Sequence, residues 1–228
     1  MKNYNIHLLR HGQTQANAEG RFVGSTDYDV SEAGREELQR LCTDYEYPSV
    51  QCVYASPLKR CLQTADILYP ERQVIPVEEL REYDFGPYEG KRAAELVDDP
   101  AFMDWLRGGK PPAGMEEMPL FEQRVRKGFE TVLMDMMHRK ITSAALVTHG
   151  GVIMTLLTAL GLPKREPKLW MTGNGRGYTV ATSAQLWSQG QVVEVFDPLP
   201  YDAMDIDPIK EYNLIDLVED ETEEPFTE

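Results

Sequence analysis

Apolar positions along this chain follow two alternating rhythms. Short continuous runs mark strands: YNIHLL (4–9) ending at Arg10, VQCVYA (50–55), a weaker QVIPV (73–77) and SAALVTH (143–149). Between them apolar residues recur every three or four positions, the period of a helix with one buried face. SEAGREELQRLCTDY (31–45) opens on a capping serine and carries Leu38, Leu41 and Tyr45 at that spacing, while PLKRCLQTADILY (57–69) places a proline at a helix start. From Leu120 to Met137, Phe121, Val125, Phe129, Val132, Leu133 and Met136 form one helical stripe, and VIMTLLTAL follows the pair Gly150 and Gly151. TVATSAQLW and QVVEVF predict a closing hairpin across a short polar turn. There is no internal repeat.

Apolar strands alternating with helices predict a mainly parallel central sheet covered on both faces, a three-layer α/β/α sandwich. Residues 91–118, with Trp105, two glycines and PPAGMEE, break the rhythm and predict a small cap insertion over a site. The expected organisation is one domain over residues 1–196 followed by an acidic tail over 197–228.

Charge sharpens that division. From Asp197 onward twelve Asp and Glu face one Lys, so −11 of the formal −15 lies there and −4 remains for residues 1–196. The acidic balance argues against a nucleic-acid partner. The tail carries Tyr212, Leu214, Ile215, Leu217 and Val218, yet its composition predicts a largely disordered end. No window approaches the roughly 20 apolar residues of a membrane span, so a cytoplasmic, soluble protein without a membrane partner is expected, its oligomeric state open. Three cysteines, Cys42, Cys52 and Cys61, form neither a CxxC pair nor an even set; they read as buried thiols, with neither disulfides nor a zinc cage signalled.

In an open α/β sheet, ligands sit beyond the carboxyl ends of the strands. Three such ends carry unusual residues: Arg10 and His11 after the first strand, SPLKR (56–60) after the second, and His149, Gly150 and Gly151 after the late one. Two histidines and two arginines, Arg10 and Arg60, therefore converge on one rim. Arginine's planar fork matches a phosphate dianion, and amides at the helix starts after Gly12 and Gly150 add donors. A neutral imidazole attacks phosphorus and carries the phosphoryl group, so His11 is a candidate nucleophile, with Gly12 giving the phosphate room. A leaving alkoxide needs a proton, and LREYDFGPYEG (80–90) offers Glu82, Asp84 and Glu89; position alone leaves the three open.

LLRHGQTQAN, ASPLKRCLQTA, LREYDFGPYEG and LVTHGGV, in this order, resemble the motifs of the histidine phosphatase superfamily, the phosphoglycerate-mutase-like family, over about residues 4–195. That resemblance implies that His11 is the phosphorylated nucleophile and Glu82 the proton donor. It places Arg10, Arg60 and His149 around the phosphate, matches Asn17 to a phosphate-contacting asparagine, and continues the same loop through Arg21, Phe22 and Gly24. It also implies chemistry without metal or cofactor on a small phosphorylated metabolite.

Mutases of the family generally carry a long insertion after the EG of the third motif. Here the stretch from Gly90 to Pro119 is short, and PPAGMEE is similar to the PPxGE element of small phosphatases, with Met115 intruding before Glu116. The expected activity is a phosphomonoesterase resembling the α-ribazole phosphatases and broad-specificity enzymes. A phosphoglycerate mutase and a non-catalytic phosphate-binding protein are the alternatives. Phe22, Tyr28, Tyr88 and Trp105 are candidates for an aromatic cap over the substrate, with core packing an equal claim on Trp105. His7 reads as structural, His138 as a solvated residue favoured by a helix terminus, and GNGRG (173–177), lacking a GKS or GKT ending, as a flexible turn.

Overall fold

The structure, a computed structural model, describes residues 2–201. Its first strand, β1 (Asn3–Arg10), is followed by a short helix α1 (Gln15–Ala18), helix α2 (Glu32–Asp44), β2 (Cys52–Ala55), α3 (Lys59–Leu68) and β3 (Val74–Pro76). Then come α4 (Pro100–Leu106), α5 (Met118–Arg139), β4 (Ser143–Thr148), α6 (Gly150–Leu160), β5 (Gly161–Leu162), β6 (Gly177–Ser183), α7 (Ala184–Gly190) and β7 (Val193–Leu199). The strands form one seven-stranded sheet in the order β3-β2-β4-β1-β6-β7-β5. Every pairing is parallel except those of β6, which runs against β1 and β7.

Side-chain alternation along the central strands creates the layers. Ile6 and Leu8 of β1 and Ala144 and Leu146 of β4 join a core closed by Val125, Phe129 and Leu133 of α5 and Ile153 and Leu157 of α6. Leu9, Ala145 and Val147 face the other way, onto Leu38 of α2 and Cys61 and Ala65 of α3. Both faces are covered, and this accounts for the lack of polar alternation in these strands. His7 points into the second layer and is held there, its ring nitrogens 3.0 Å from Thr179 Oγ1 and 3.2 Å from Ser143 Oγ. Its burial lowers its pKa to about 4, as befits a neutral structural histidine.

Several sequence expectations change in detail. The hairpin does not form as a direct turn: β6 ends at Ser183, whose hydroxyl accepts from the Leu186 amide and caps α7, and Trp187 of that helix packs on Phe129 at 5.6 Å. The two strands still pair, but a helix joins them. Strand β7 continues through Leu199, and Tyr201 bridges Glu46, so packed structure passes the boundary drawn at residue 196. The tail over 202–228, with the disorder expected of it, lies outside the described residues. Cys42 is exposed; only Cys52 and Cys61 are buried. Residues 91–118 do stand apart from the sheet, contributing a turn at Ala93–Glu95 and helix α4, which Asp99 caps and Pro100 starts.

Candidate active site

The carboxyl ends of β1, β2 and β4 meet in the middle of the sheet, and their ladder continues one residue beyond the strands: the His11 amide donates to the Thr148 carbonyl at 2.9 Å. This places the His11 and His149 rings edge to face, with centroids 5.2 Å apart. His11 Nδ1 lies 2.8 Å from the Gly12 carbonyl. A carbonyl only accepts, so Nδ1 carries the proton and Nε2 carries the lone pair. Burial and the neighbouring Arg60 and Arg10 charges hold the His11 pKa well below its ordinary value, against the opposing pull of the Gly12 carbonyl.

His149 has the opposite tautomer. Arg60 donates to its Nδ1 at 3.2 Å, so its Nε2 carries the proton and donates to Ser56 Oγ at 2.8 Å. It too stays neutral, for burial and then Arg60 lower its pKa. Arg60 is wholly buried, with its terminal nitrogens donating to the carbonyls of Thr26 at 2.8 Å and Gly24 at 2.7 Å. Arg10, also buried, donates to the Thr172 carbonyl at 2.8 Å.

Of the three carboxylates in the third motif, the structure brings only Glu82 into the cleft. Its Oε2 accepts from the Gly151 amide and its Oε1 from its own neighbour Tyr83, both at 2.9 Å. Burial raises its pKa in spite of those two amides and the arginines. Asp84 caps the turn at Gly86. Glu89 is tied up structurally, accepting from the amides of Gly24, Ser25, Thr26 and Phe85 at 2.9–3.2 Å. It thereby shapes the very loop whose carbonyls grip Arg60.

The site lines a cleft of about 340 Å³. Arg10, His11, Asn17, Arg21, Glu82 and Gly150 reach its wall. Arg60 and His149 form a second tier, holding their charge and ring behind His11. Gly24 acts through its carbonyl on Arg60 and is not part of the wall. Asn17 accepts from the Thr14 amide and hydroxyl through Oδ1, which leaves Nδ2 as its donor end. Arg21 is engaged by Glu19 at 2.6 Å and by the Gly90 carbonyl at 2.8 Å. Phe22 and Trp105 line the cleft and also pack on each other at 6.3 Å, so Trp105 serves both core and wall. Tyr88 lies buried behind Trp105, and Tyr28 is not on the wall.

Two glycines have packing roles beyond the sequence expectation. A Cβ on Gly12 would fall 2.6 Å from Leu38 Cδ1, so this glycine also admits helix α2. Of the amides around it, that of Gly12 goes to Thr64 Oγ1 at 2.8 Å, that of Thr14 to Asn17 Oδ1 and that of Asn17 to Thr14 Oγ1. Gly151 is required by the Glu82 carboxyl: a Cβ there would stand 2.5 Å from Glu82 Oε1. Gly151→Ala is expected to displace Glu82 and lower kcat by about 100-fold, with the melting temperature showing that the fold persists; kinetics within a few-fold of wild type would contradict this placement.

Sequence reading missed the supports. Arg124 forms a two-pronged ion pair with Glu116 at 2.8 and 2.7 Å and donates to the carbonyls of Glu79, Arg81 and Glu82, while Thr148 Oγ1 holds that of Leu80. Every carbonyl leading into Glu82 is thus fixed, and PPAGMEE, the source of Glu116, was its signal. GNGRG is an anchor: Asn174 Nδ2 donates to the His11 carbonyl at 2.8 Å and the Gly175 amide to that of Arg10 at 3.0 Å. Among the described residues no group of three or more His, Cys, Asp or Glu side chains is disposed to hold a metal ion, and no helix is long and apolar enough to cross a membrane.

The site thus gathers two imidazoles, two guanidiniums and one carboxyl at the carboxyl edge of an α/β sheet. The family model of the histidine phosphatase superfamily (branch 1) matches residues 6–193, and the chain belongs to that superfamily. A Hydrogenobacter thermophilus protein named as a phosphoserine phosphatase is 33% identical over 168 residues, covering 69% of this chain and 80% of its own length. The adenosylcobalamin/α-ribazole phosphatase of Escherichia coli is 32% identical, covering 68% and 79%. The crystal structure of the α-ribazole phosphatase from Shigella flexneri superposes with a TM-score of 0.68 at 25% identity, over 84% of this chain and 94% of that one. The resemblance drawn from the four motifs, and the fold class with it, are borne out.

Proposed function

We propose that this protein hydrolyses a small phosphate monoester through a phosphohistidine on His11, without a metal ion. The observation that carries the reading is the fixed tautomer of His11. The Gly12 carbonyl holds the proton on Nδ1, leaving the Nε2 lone pair as nucleophile in a cleft beside two buried guanidiniums. Those two cations stand near two imidazoles kept neutral and a carboxyl whose burial favours its protonated form. Guanidiniums and an imidazole lone pair at one cleft suit a phosphate dianion, and Asn17 Nδ2 adds a donor at the cleft wall.

In the first step Nε2 bonds to phosphorus as the bond to the ester oxygen breaks, and Glu82 gives its proton to the departing alkoxide. In the second, water attacks the phosphohistidine, its proton passes to the Glu82 carboxylate, and the phosphorus–nitrogen bond breaks to release phosphate. Arg10 and Arg60 stabilise the charge on the transferring oxygens throughout, and His149 stays neutral as a donor to Ser56. Gly24 contributes by holding Arg60, and Gly150 by bringing the start of α6 beside Arg10. A mutase would instead return the phosphoryl group to a second glycerate oxygen.

The test is phosphate release from a panel of monoesters in the presence of EDTA, with quenching in alkaline detergent after mixing with ³²P-labelled ester and later acid treatment of the labelled protein. Release unaffected by the chelator and acid-labile label on the protein are expected. Release abolished by EDTA, or turnover without any protein-bound label at early times, would overturn the mechanism. Exchange of phosphoryl positions on a glycerate in preference to release would favour the mutase.

A further inference from the structure

Beyond the phosphate end the described residues that line the cleft are mostly apolar, and their origin in five separate segments shows a shaped wall. Phe22 comes from the loop after α1, Phe85 from the acid loop, Trp105 from α4, Met118 and Phe121 from α5, and Met154 from α6. Phe22, Phe85 and Trp105 meet one another with centroids 5.0–6.3 Å apart in tilted and edge-to-face contacts, an arrangement that fixes one face. The methionines are unbranched and adaptable, suited to rings of more than one size.

The charges tell the same story. Among the described residues lining this cleft the cations are Arg10 and Arg21 alone. Arg10 lies at the His11 end. Arg21 is the group that would receive a second anion on the substrate, but Glu19 takes its Nε at 2.6 Å, the Gly90 carbonyl takes a terminal nitrogen at 2.8 Å, and Glu95 stands 3.9 Å away. That corner is neutral to acidic. A leaving group with a carboxylate would lose its hydration and gain no partner.

Resting on the phosphatase reading above, we infer that the cleft selects monoesters whose alcohol is apolar, ring-bearing and uncharged, and rejects those of sugar acids and amino acids. Phe22, Phe85 and Trp105 are the specificity-determining face, and Glu19 is the residue that withholds Arg21 from a carboxylate. Glu19 touches no reacting atom; it acts through Arg21.

The comparison must avoid activated phenols, whose easy departure would mimic selectivity. The esters are therefore 2-phenylethyl phosphate, glycerol 1-phosphate, 3-phosphoglycerate and O-phosphoserine, all with alkyl leaving groups. The kcat/KM of the phenylethyl ester is expected to exceed that of the two carboxylate esters by about 100-fold, with the glycerol ester between. Calorimetric titration with benzylphosphonate and 3-phosphonopropionate supplies a binding readout independent of turnover, and benzylphosphonate is expected to bind more tightly by a similar factor. In Glu19→Gln the preference is expected to shift about five- to tenfold towards 3-phosphoglycerate. Trp105→Ala is expected to lower the preference for the ring.

Equal or faster turnover of the carboxylate esters, with equal phosphonate affinities, would overturn the inference and leave the phosphatase reading in place. Failure to hydrolyse any ester would remove that reading, while the two phosphonate affinities would still decide whether the cleft prefers the apolar ligand.

Discussion

His11→Ala is expected to abolish turnover, with kcat falling by on the order of 10⁴-fold or more, the usual scale for loss of a covalent nucleophile. The imidazole is buried, contacts His149 edge to face and spends Nδ1 on the carbonyl of the next residue. Among the described residues no other side chain on the cleft wall presents a neutral nitrogen lone pair: Arg10 and Arg21 are guanidiniums, and His149 sits in the tier behind, its nitrogens committed to Arg60 and Ser56. The variant keeps both buried arginines, so inorganic phosphate is expected to bind it within a few-fold of wild type. Calorimetry with phosphate, beside a stopped assay of release, checks both halves. Turnover within tenfold of wild type would end the nucleophile assignment.

Glu82→Gln is expected to lower kcat/KM for alkyl esters by about 10²- to 10⁴-fold, the range of a positioned general acid, and to lower it much less for p-nitrophenyl phosphate, whose phenolate departs unaided. The pH dependence carries the sign. His11 must be unprotonated, and burial with Arg60 and Arg10 pushes its pKa down, so the acid limb lies below the ordinary histidine range. Glu82 must hold a proton in the first step, and burial pushes its pKa up, so kcat/KM falls as pH rises through a value above the ordinary glutamate range. Glutamine does not titrate, so the alkaline limb is expected to vanish in the variant. A wild-type profile flat from pH 5 to 9, or an alkaline limb that survives Glu82→Gln, would dismiss this pair.

Much of this arrangement was legible in the sequence. Apolar runs and helical stripes placed the central strands and α2, α3, α5 and α6, because a strand buried on both faces cannot carry polar alternation. Strand ends bearing Arg10, His11, Arg60 and His149 marked the rim. What local pattern could not show was how the chain closes. TVATSAQLW reads as one strand, yet Ser183 has a cap to make and Trp187 a core to enter, so the run breaks into β6 and α7. The two residues of β5 carry no periodicity at all. The reversal of β6 arises from pairing between segments far apart in the chain.

The sequence by itself determined the fold class, the family and the residues from which the site is drawn, since these rest on periodicity and on four ordered motifs. Only the tertiary structure decided how they are placed. It brought Glu82, and neither Asp84 nor Glu89, to the cleft wall, because burial and the Gly151 amide are properties of a place, not of a residue type. It fixed the tautomers of His11 and His149 by setting a carbonyl beside one ring and a guanidinium beside the other. It set Arg60 behind the wall, packed Gly12 against helix α2, and bound Arg21 to Glu19. Each of these depends on contacts between distant segments, and in such contacts burial and partners govern charge, proton and reach.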